Sequence, residues 1–382
     1  MIEGCKLGIA EELTIKLFCR VSEKKVFDYL IVGGGLAGSV LAFQLDQLGK
    51  RILLISNTYN HSSAIAAGLF NPITGKVLSK TWQAQNIFTA LHHFYLKAEK
   101  VTGQHFFHPM PIYRPFLSVE EQNEWMGKSA SADWAIFIEK IYTRSAGWKG
   151  VEDAFGGLLL KQTGFLNTIG FMEAIKNYFS RKQQFLERSL AVDGLEITSN
   201  SIVFEEYQSE KIIFCEGTHA LQNPYFNWLP IRILKGETLT VETTLPGDVV
   251  VNRGIYGVPV KEGIFKLGAT YETQDLSPTT TAKGRQELEE KFKEIISLSY
   301  RVVNQEWGYR PTTPDRRPII GEHPEYKNVM VCNGLGTKGV SLAPFVANIL
   351  AEFLVNGIRS ATYDAVDVSR YYSLYWKAVH KR

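Results

Sequence analysis

The sequence predicts an α/β chain: a Rossmann-type nucleotide-binding domain carrying an inserted antiparallel-sheet domain of α+β character. Three observations lead there. Phe27 to Ile55 reads strand, glycine turn, helix, strand; three strand-like runs punctuated by turn residues lie between Ile231 and Tyr271; and a second glycine loop, Asn333 to Gly339, opens an apolar helix near the C-terminus. At 382 residues the chain exceeds what one core usually supports, so two domains are expected. No linker or repeat divides it, which makes the nucleotide domain discontinuous: 26–80, 164–228 and 305–382, with 81–163 and 229–304 forming the second domain and 1–25 an N-terminal extension.

Taken in order, "FDYLIVGGG" is an apolar run ending in a turn, "LAGSVLAFQLDQLG" a helix, and "KRILLIS" the second strand of a βαβ unit. Ile87, Leu91, Phe94, Tyr95 and Ala98 recur at helical spacing. A further helix is expected from about Ile169 to Phe179, and "KIIFCEG" reads as a buried parallel strand entering a glycine turn. The runs "ILKGETLTVET", "YGVPV" and "GIFKLGATY" suggest an antiparallel sheet. A charged helix from Ala282 to Leu298 precedes the final loop, strand and helix, Ser341 to Leu354.

Composition narrows the function. The 42 basic and 39 acidic residues nearly cancel, so the field does not favour nucleic acid or anionic lipid as partner, and a small molecule is expected instead. Cys5, Cys19, Cys215 and Cys332 show no metal-ligand spacing and read as reduced, mostly buried thiols of a cytoplasmic protein. No run of about eighteen apolar residues stands out, so no spanning helix and no integral membrane association are expected. His92, His93, His105 and His108 lack the ligand spacing of a metal site, and no metal is expected.

The chemistry begins at Gly33, Gly35 and Gly38, which stand at G-x-G-x-x-G spacing between strand and helix. Such a turn brings backbone N–H groups, including those of Leu36 and Ala37, against a dinucleotide pyrophosphate at a helix N-terminus. The acid that should grip the ribose, about twenty residues on, is replaced by Ser56 and Asn57, whose side chains can still hydrogen-bond a hydroxyl.

Beyond the second strand, His61-Ser62-Ser63-Ala64-Ile65-Ala66-Ala67-Gly68-Leu69 resembles the small-residue loop under the flavin in the family of D-amino-acid oxidase, glycine oxidase and sarcosine oxidase. Gly308 to Gly321, "GYRPTTPDRRPIIG", fits that family's G-x-R-P-x-T-x-D-x-x-P-x-I-G at every fixed position, and Asn333-Gly334-Leu335-Gly336-Thr337-Lys338-Gly339 follows at family spacing. Lys235-Gly236-Glu237 and Phe214-Cys215-Glu216-Gly217 are similar to its mid-chain signatures. The resemblance runs from about Tyr29 to Gly357. It implies FAD in the Rossmann-type domain, a substrate domain in the insertion, and oxidation of the C–N bond of a small amino acid or secondary amine, the reduced flavin being reoxidised by O2.

By the same resemblance Arg310 clamps a substrate carboxylate, against the alternative of an ion pair with Asp315; Tyr256 is the active-site tyrosine, against a core role. Lys266 matches the sarcosine-oxidase lysine that assists oxygen reduction, its face being either cavity or bulk water. Lys338 adds positive charge beside the flavin pyrimidine, against a plain solvated turn. No cysteine lies between Cys215 and Cys332, so the FAD is expected to be non-covalent. Two rival readings stand beside this one. "AAGLFNPITGK" resembles the oxidase domain of the enzyme that makes 5-methylaminomethyl-2-thiouridine in tRNA, and a dehydrogenase would use an acceptor other than oxygen.

Overall fold

The computed structural model describes residues 24–57, 61–74 and 79–380. Most of the expected N-terminal extension, Cys5, Cys19, and Gly75-Lys76 of the "ITGK" segment lie outside the described residues. Strand Lys25–Val32 runs parallel to Ile52–Ser56 on one side and to Tyr207–Phe214 on the other. Phe185–Glu187 extends the sheet beyond Ile52–Ser56, and Val329–Asn333 lies parallel to the end of Tyr207–Phe214 with Ile319–Glu322 antiparallel outside it. Tyr29, Leu30 and Ile31 are all essentially inaccessible to solvent, because both faces of the sheet are covered. The βαβ unit and the "KIIFCEG" strand are thus where the apolar runs place them.

One covering layer is helical. Leu36–Gln47, Ala84–Thr102, Thr168–Arg181 and Gly339–Asn356 share a core containing Val40, Leu41, Ile87, Leu91, Phe171 and Leu350. Two expectations change here. Ala84–Thr102, assigned to the second domain by the boundary at residue 80, buries its apolar stripe in this core, where Tyr95 Oη donates to Val340 O at 3.1 Å. Gly339–Asn356 is, by length and composition, apolar enough to cross a membrane, although no such stretch was evident as a run; Val340, Leu342, Val346 and Leu350 are buried inside the protein.

The second sheet has eight strands in the order Tyr300–Thr312, Arg232–Thr243, Ile264–Gly268, Ile255–Lys261, Val250–Arg253, Ile112–Pro115, Gly157–Leu160, Ile138–Tyr142. It is antiparallel as expected except where Val250–Arg253 runs parallel to Ile112–Pro115. Its outer strand Tyr300–Thr312 continues past the expected boundary at 304/305, pairing residue by residue with Arg232–Thr243. One strand therefore carries the chain from the second sheet into the segment that returns to the first. Helix Ala282–Lys293 covers the far face through Leu288 and Phe292.

At the C-terminus, helix Tyr372–Val379 docks through Tyr375 against Trp228 and His323, with ring centroids 5.4 and 4.9 Å away. His323 Nδ1 accepts the backbone N–H groups of Glu325 and Tyr326 at 3.2 and 3.3 Å. Burial holds this imidazole down at about 4, against an opposing pull from Glu325. Its folded value lies below the unfolded one near 6.5, so the neutral form is the stable native one and stability is complete above that pH. As pH falls from about 6.5 to 4, the unfolded chain takes up a proton that the native state does not. With solvent screening allowed for, about 2 kcal/mol should be lost in this window. Comparing Tm against pH for the wild type and His323→Asn tests this: the variant's profile should be flatter there, and parallel profiles would refute it.

Candidate active site

A cleft of about 740 Å³ runs between the two sheets. At one end lies the first glycine turn. Gly33 takes φ +105°, and a Cβ there would sit 2.5 Å from Cys215 O; a Cβ on Gly38 would sit 1.8 Å from Gly33 O. Only glycine lets helix, turn and neighbouring strand approach this closely. Gly35 caps Leu36–Gln47 without any side-chain bond, and the helix has no acid in its first turn, so N–H groups and positive potential face the cleft. An anionic pyrophosphate fits this cradle.

The expected cofactor residues divide into two groups. Gly33, Gly35, Leu36, Ala37, Ser56, Asn57, Ser62, Ser63, Ala67, Gly68, Gly217, Gly336, Thr337 and Gly339 line the cleft. Gly38 and Gly334 do not line it but support it from behind, Gly334 packing against Thr313. Several lining side chains act within the protein. Ser56 Oγ accepts from Gly34 N at 2.9 Å and donates to Asn57 O; Asn57 Nδ2 donates to Ser189 Oγ at 2.9 Å. Ser63 Oγ accepts from Leu36 N at 3.2 Å, and the Ser62 hydroxyl donates to Tyr309 O, tying the small-residue loop to the second sheet. Glu216, which the sequence places in a mid-chain signature without assigning it a role, also lines the cleft; burial raises its pKa, and Asn223 Nδ2 donates to it at 2.7 Å.

The long arginine motif is a clasp. Gly336 N donates to Pro311 O at 2.9 Å, joining it to the second glycine loop, and Thr313 Oγ1 donates to Arg317 O at 2.7 Å. Asp315 receives Arg370 Nε at 3.0 Å, so its partner is Arg370 and not Arg310. No ion pair among the described residues involves Arg310. Of its five N–H donors, one is engaged among the described residues, with Thr270 O at 3.2 Å, and the guanidinium lies 5.3 Å from the centre of the Tyr271 ring. A Cβ on Gly236 would meet Arg310 Nη2 at 2.1 Å, so the middle glycine of Lys235-Gly236-Glu237 makes room for the guanidinium.

Tyr256 shares this end of the cleft. Burial pushes its hydroxyl up to about 12, against Arg310 and a backbone hydrogen bond from Ala67, so it stays a protonated donor. Tyr271 and Thr238 line the same region and were not singled out from sequence. Thr238 lies within strand Arg232–Thr243 and Tyr271 in the loop after Ile264–Gly268, where nothing local marks a cleft-facing position.

Two lysines are placed otherwise than expected. Lys266 neither faces bulk water nor lines the cleft; it is buried on the sheet, with Nζ 3.0 Å from Glu306. Lys338 Nζ turns away to Thr81 Oγ1 at 3.0 Å, where burial lowers its pKa. In each case a distant partner captures the ammonium. Lys235 and Glu237 flank Gly236 on the opposite face, both buried, 3.8 Å apart. Glu237 accepts from Thr281 N at 2.9 Å, Thr281 Oγ1 at 2.7 Å and Gln305 Nε2 at 2.6 Å, fastening the segment that carries Tyr271 to the cap of helix Ala282–Lys293.

Known proteins resemble this chain in sequence and in fold. The family model described as FAD dependent oxidoreductase matches residues 28–353. The bifunctional protein ThiO/ThiG of Trichormus variabilis is 25% identical over 86% of this chain and 52% of its own length. The tRNA 5-methylaminomethyl-2-thiouridine biosynthesis bifunctional protein MnmC of Idiomarina loihiensis is 24% identical over 90% and 59%. The chain thus spans little more than half of these two relatives. A glycine oxidase of Pseudomonas aeruginosa is 23% identical over 85% of this chain and 94% of its own. The crystal structure of glycine oxidase from Bacillus cereus matches the fold with a TM-score of 0.71 at 18% identity, covering 88% of this chain and 97% of that one.

Proposed function

This chain belongs to the DAO family of FAD-dependent oxidoreductases, and on that premise we propose that it oxidises the C–N bond of a small amino acid or secondary amine. The observation that carries the reading is Arg310: a guanidinium in the cleft with no carboxylate partner among the described residues, beside the Tyr256 hydroxyl. A planar fork with free donors suits a carboxylate, which it can hold by two parallel bonds. The chemistry that bound FAD supplies is acceptance of a hydride from the carbon bearing nitrogen. The protein's own task is orientation, with Arg310 and Tyr256 holding the acid end and Tyr271 lying over the guanidinium.

The glycine turn, Ser62, Ser63, Ala67, Gly68 and the loop Gly336-Thr337 are the residues that would hold FAD, non-covalently, since no described cysteine but Cys215 reaches the cleft and Cys215 lies behind the first turn. The substrate loses a hydride and a proton to give an imine, and oxygen as final acceptor would yield hydrogen peroxide. A second reading, a dehydrogenase with another acceptor, is favoured by one observation: Glu306 neutralises Lys266, so this cation is less available to stabilise charge developing on oxygen.

A peroxide-release screen over glycine, sarcosine, proline and both enantiomers of common amino acids, run beside an artificial-dye assay, separates the two. Turnover with dye alone would select the dehydrogenase; turnover with neither would refute the activity. In Arg310→Lys, kcat/KM for carboxylate-bearing substrates should fall roughly ten- to a hundredfold while simple amines are less affected, because a point charge loses one charge-assisted bond. Equal losses would assign Arg310 to structure.

A further inference from the structure

Thr238 lies in the middle of strand Arg232–Thr243, 3% exposed, and lines the cleft. Its Oγ1 has no hydrogen-bond partner among the described residues. Buried hydroxyls are almost always satisfied, so an orphan on a cleft-lining residue marks a place where something else binds.

The surroundings say what. Thr238 pairs across the sheet with Gly268, which in turn pairs with Tyr256. A Cβ on Gly268 would lie 2.5 Å from Tyr256 Oη and 3.0 Å from Thr238 Cγ2, so these two side chains converge over a position that must be empty. Two residues earlier on the same strand face, Gly236 lies under the Arg310 guanidinium. Residues i and i+2 of a strand stand about 6.6 Å apart on one face. A carboxylate and an amine separated by a single carbon, with a hydrogen bond at each end, span that interval.

We propose that Thr238 is the amine-binding residue of the site, its hydroxyl oxygen accepting an N–H from the substrate nitrogen while Arg310 holds the carboxylate. The inference rests on the reading of the cleft as an amino-acid oxidoreductase site and sharpens it to α-amino acids bearing an N–H, primary or N-alkylated. Two fixed points also limit how the substrate can turn within the cleft, and so whether the C–H on its α-carbon points at the acceptor.

The test is Thr238→Val in the flavin-loaded protein. Removing an unsatisfied buried hydroxyl leaves no partner stranded, so the variant should fold with unchanged or raised Tm and full flavin content. Affinity is read from the perturbation of flavin absorbance by two probes, glycine and acetate, the second lacking the amino group. We expect glycine binding to weaken roughly ten- to a hundredfold, acetate binding to stay the same, and Thr238→Ser to restore glycine. Equal weakening of both probes, or no change in either, would overturn the assignment. A shift in the flavin spectrum or flavin affinity without loss of glycine would give the hydroxyl to the cofactor instead. If acetate does not bind the unaltered protein, the carboxylate reading of Arg310 fails first, and the inference with it.

Discussion

Gly38→Ala should be purified colourless or nearly so, with a lowered Tm. The added methyl would lie 1.8 Å from Gly33 O, 3.1 Å from Gly33 C and 3.2 Å from Cys215 Cβ, and two of these three atoms are backbone. No rotamer change relieves such an overlap. Either helix Leu36–Gln47 withdraws from the sheet or the Gly33–Gly35 turn is displaced, and each destroys the cradle for the pyrophosphate. Overpacking of this severity costs about 3 kcal/mol or more. Gly127→Ala is the control, since that helical glycine has nothing within 4 Å of its missing Cβ and should gain a little stability from helix propensity. Absorbance at the flavin band and thermal melts measure both effects. A Gly38→Ala protein with wild-type flavin content and Tm would show that this turn is not the cofactor cradle.

Glu237→Ala should be the most destabilising single change outside the glycine turns. Lys235, 1% exposed, would lose the carboxylate 3.8 Å from its ammonium, and Thr281 N, Thr281 Oγ1 and Gln305 Nε2 would lose their acceptor together. Breaking a buried pair from one side costs about 3–5 kcal/mol, because the remaining charge stays in a poorly solvated place. Function should suffer as well. Segment 270–281, which Glu237 pins at its far end, carries Thr270 and Tyr271 against Arg310, so KM should rise even at temperatures where the protein remains folded. Replacing both partners, Lys235→Met with Glu237→Met, should recover most of the stability because no charge is then left alone. Denaturant unfolding of the single and double variants decides it: a single-variant loss below about 1 kcal/mol would mean that the pair is not a structural fastener.

What the sequence determined by itself is what depends on local backbone geometry. Gly33, Gly35 and Gly38 were legible because a tight turn into a helix N-terminus admits little else at those spacings, whereas Gly336 and Arg310 stood out only because their motifs resemble those of a known family. Strand and helix identities followed from apolar period, which local packing enforces. Side-chain fate was decided by tertiary structure alone. Lys266 and Lys338 look available in the sequence, yet Glu306 and Thr81 take up their ammonium groups across strand pairings and helix contacts that no local pattern specifies. The helix Ala84–Thr102 joined the nucleotide core for the same reason: Tyr95 finds its acceptor in Val340, 245 residues away. Thr238 and Tyr271 are ordinary strand and loop residues until the register of Arg232–Thr243 against Ile264–Gly268 and Tyr300–Thr312 sets them beside Arg310. A buried polar group takes its role from whichever partner the fold brings within hydrogen-bonding distance, and that partner lies mostly far off in the chain.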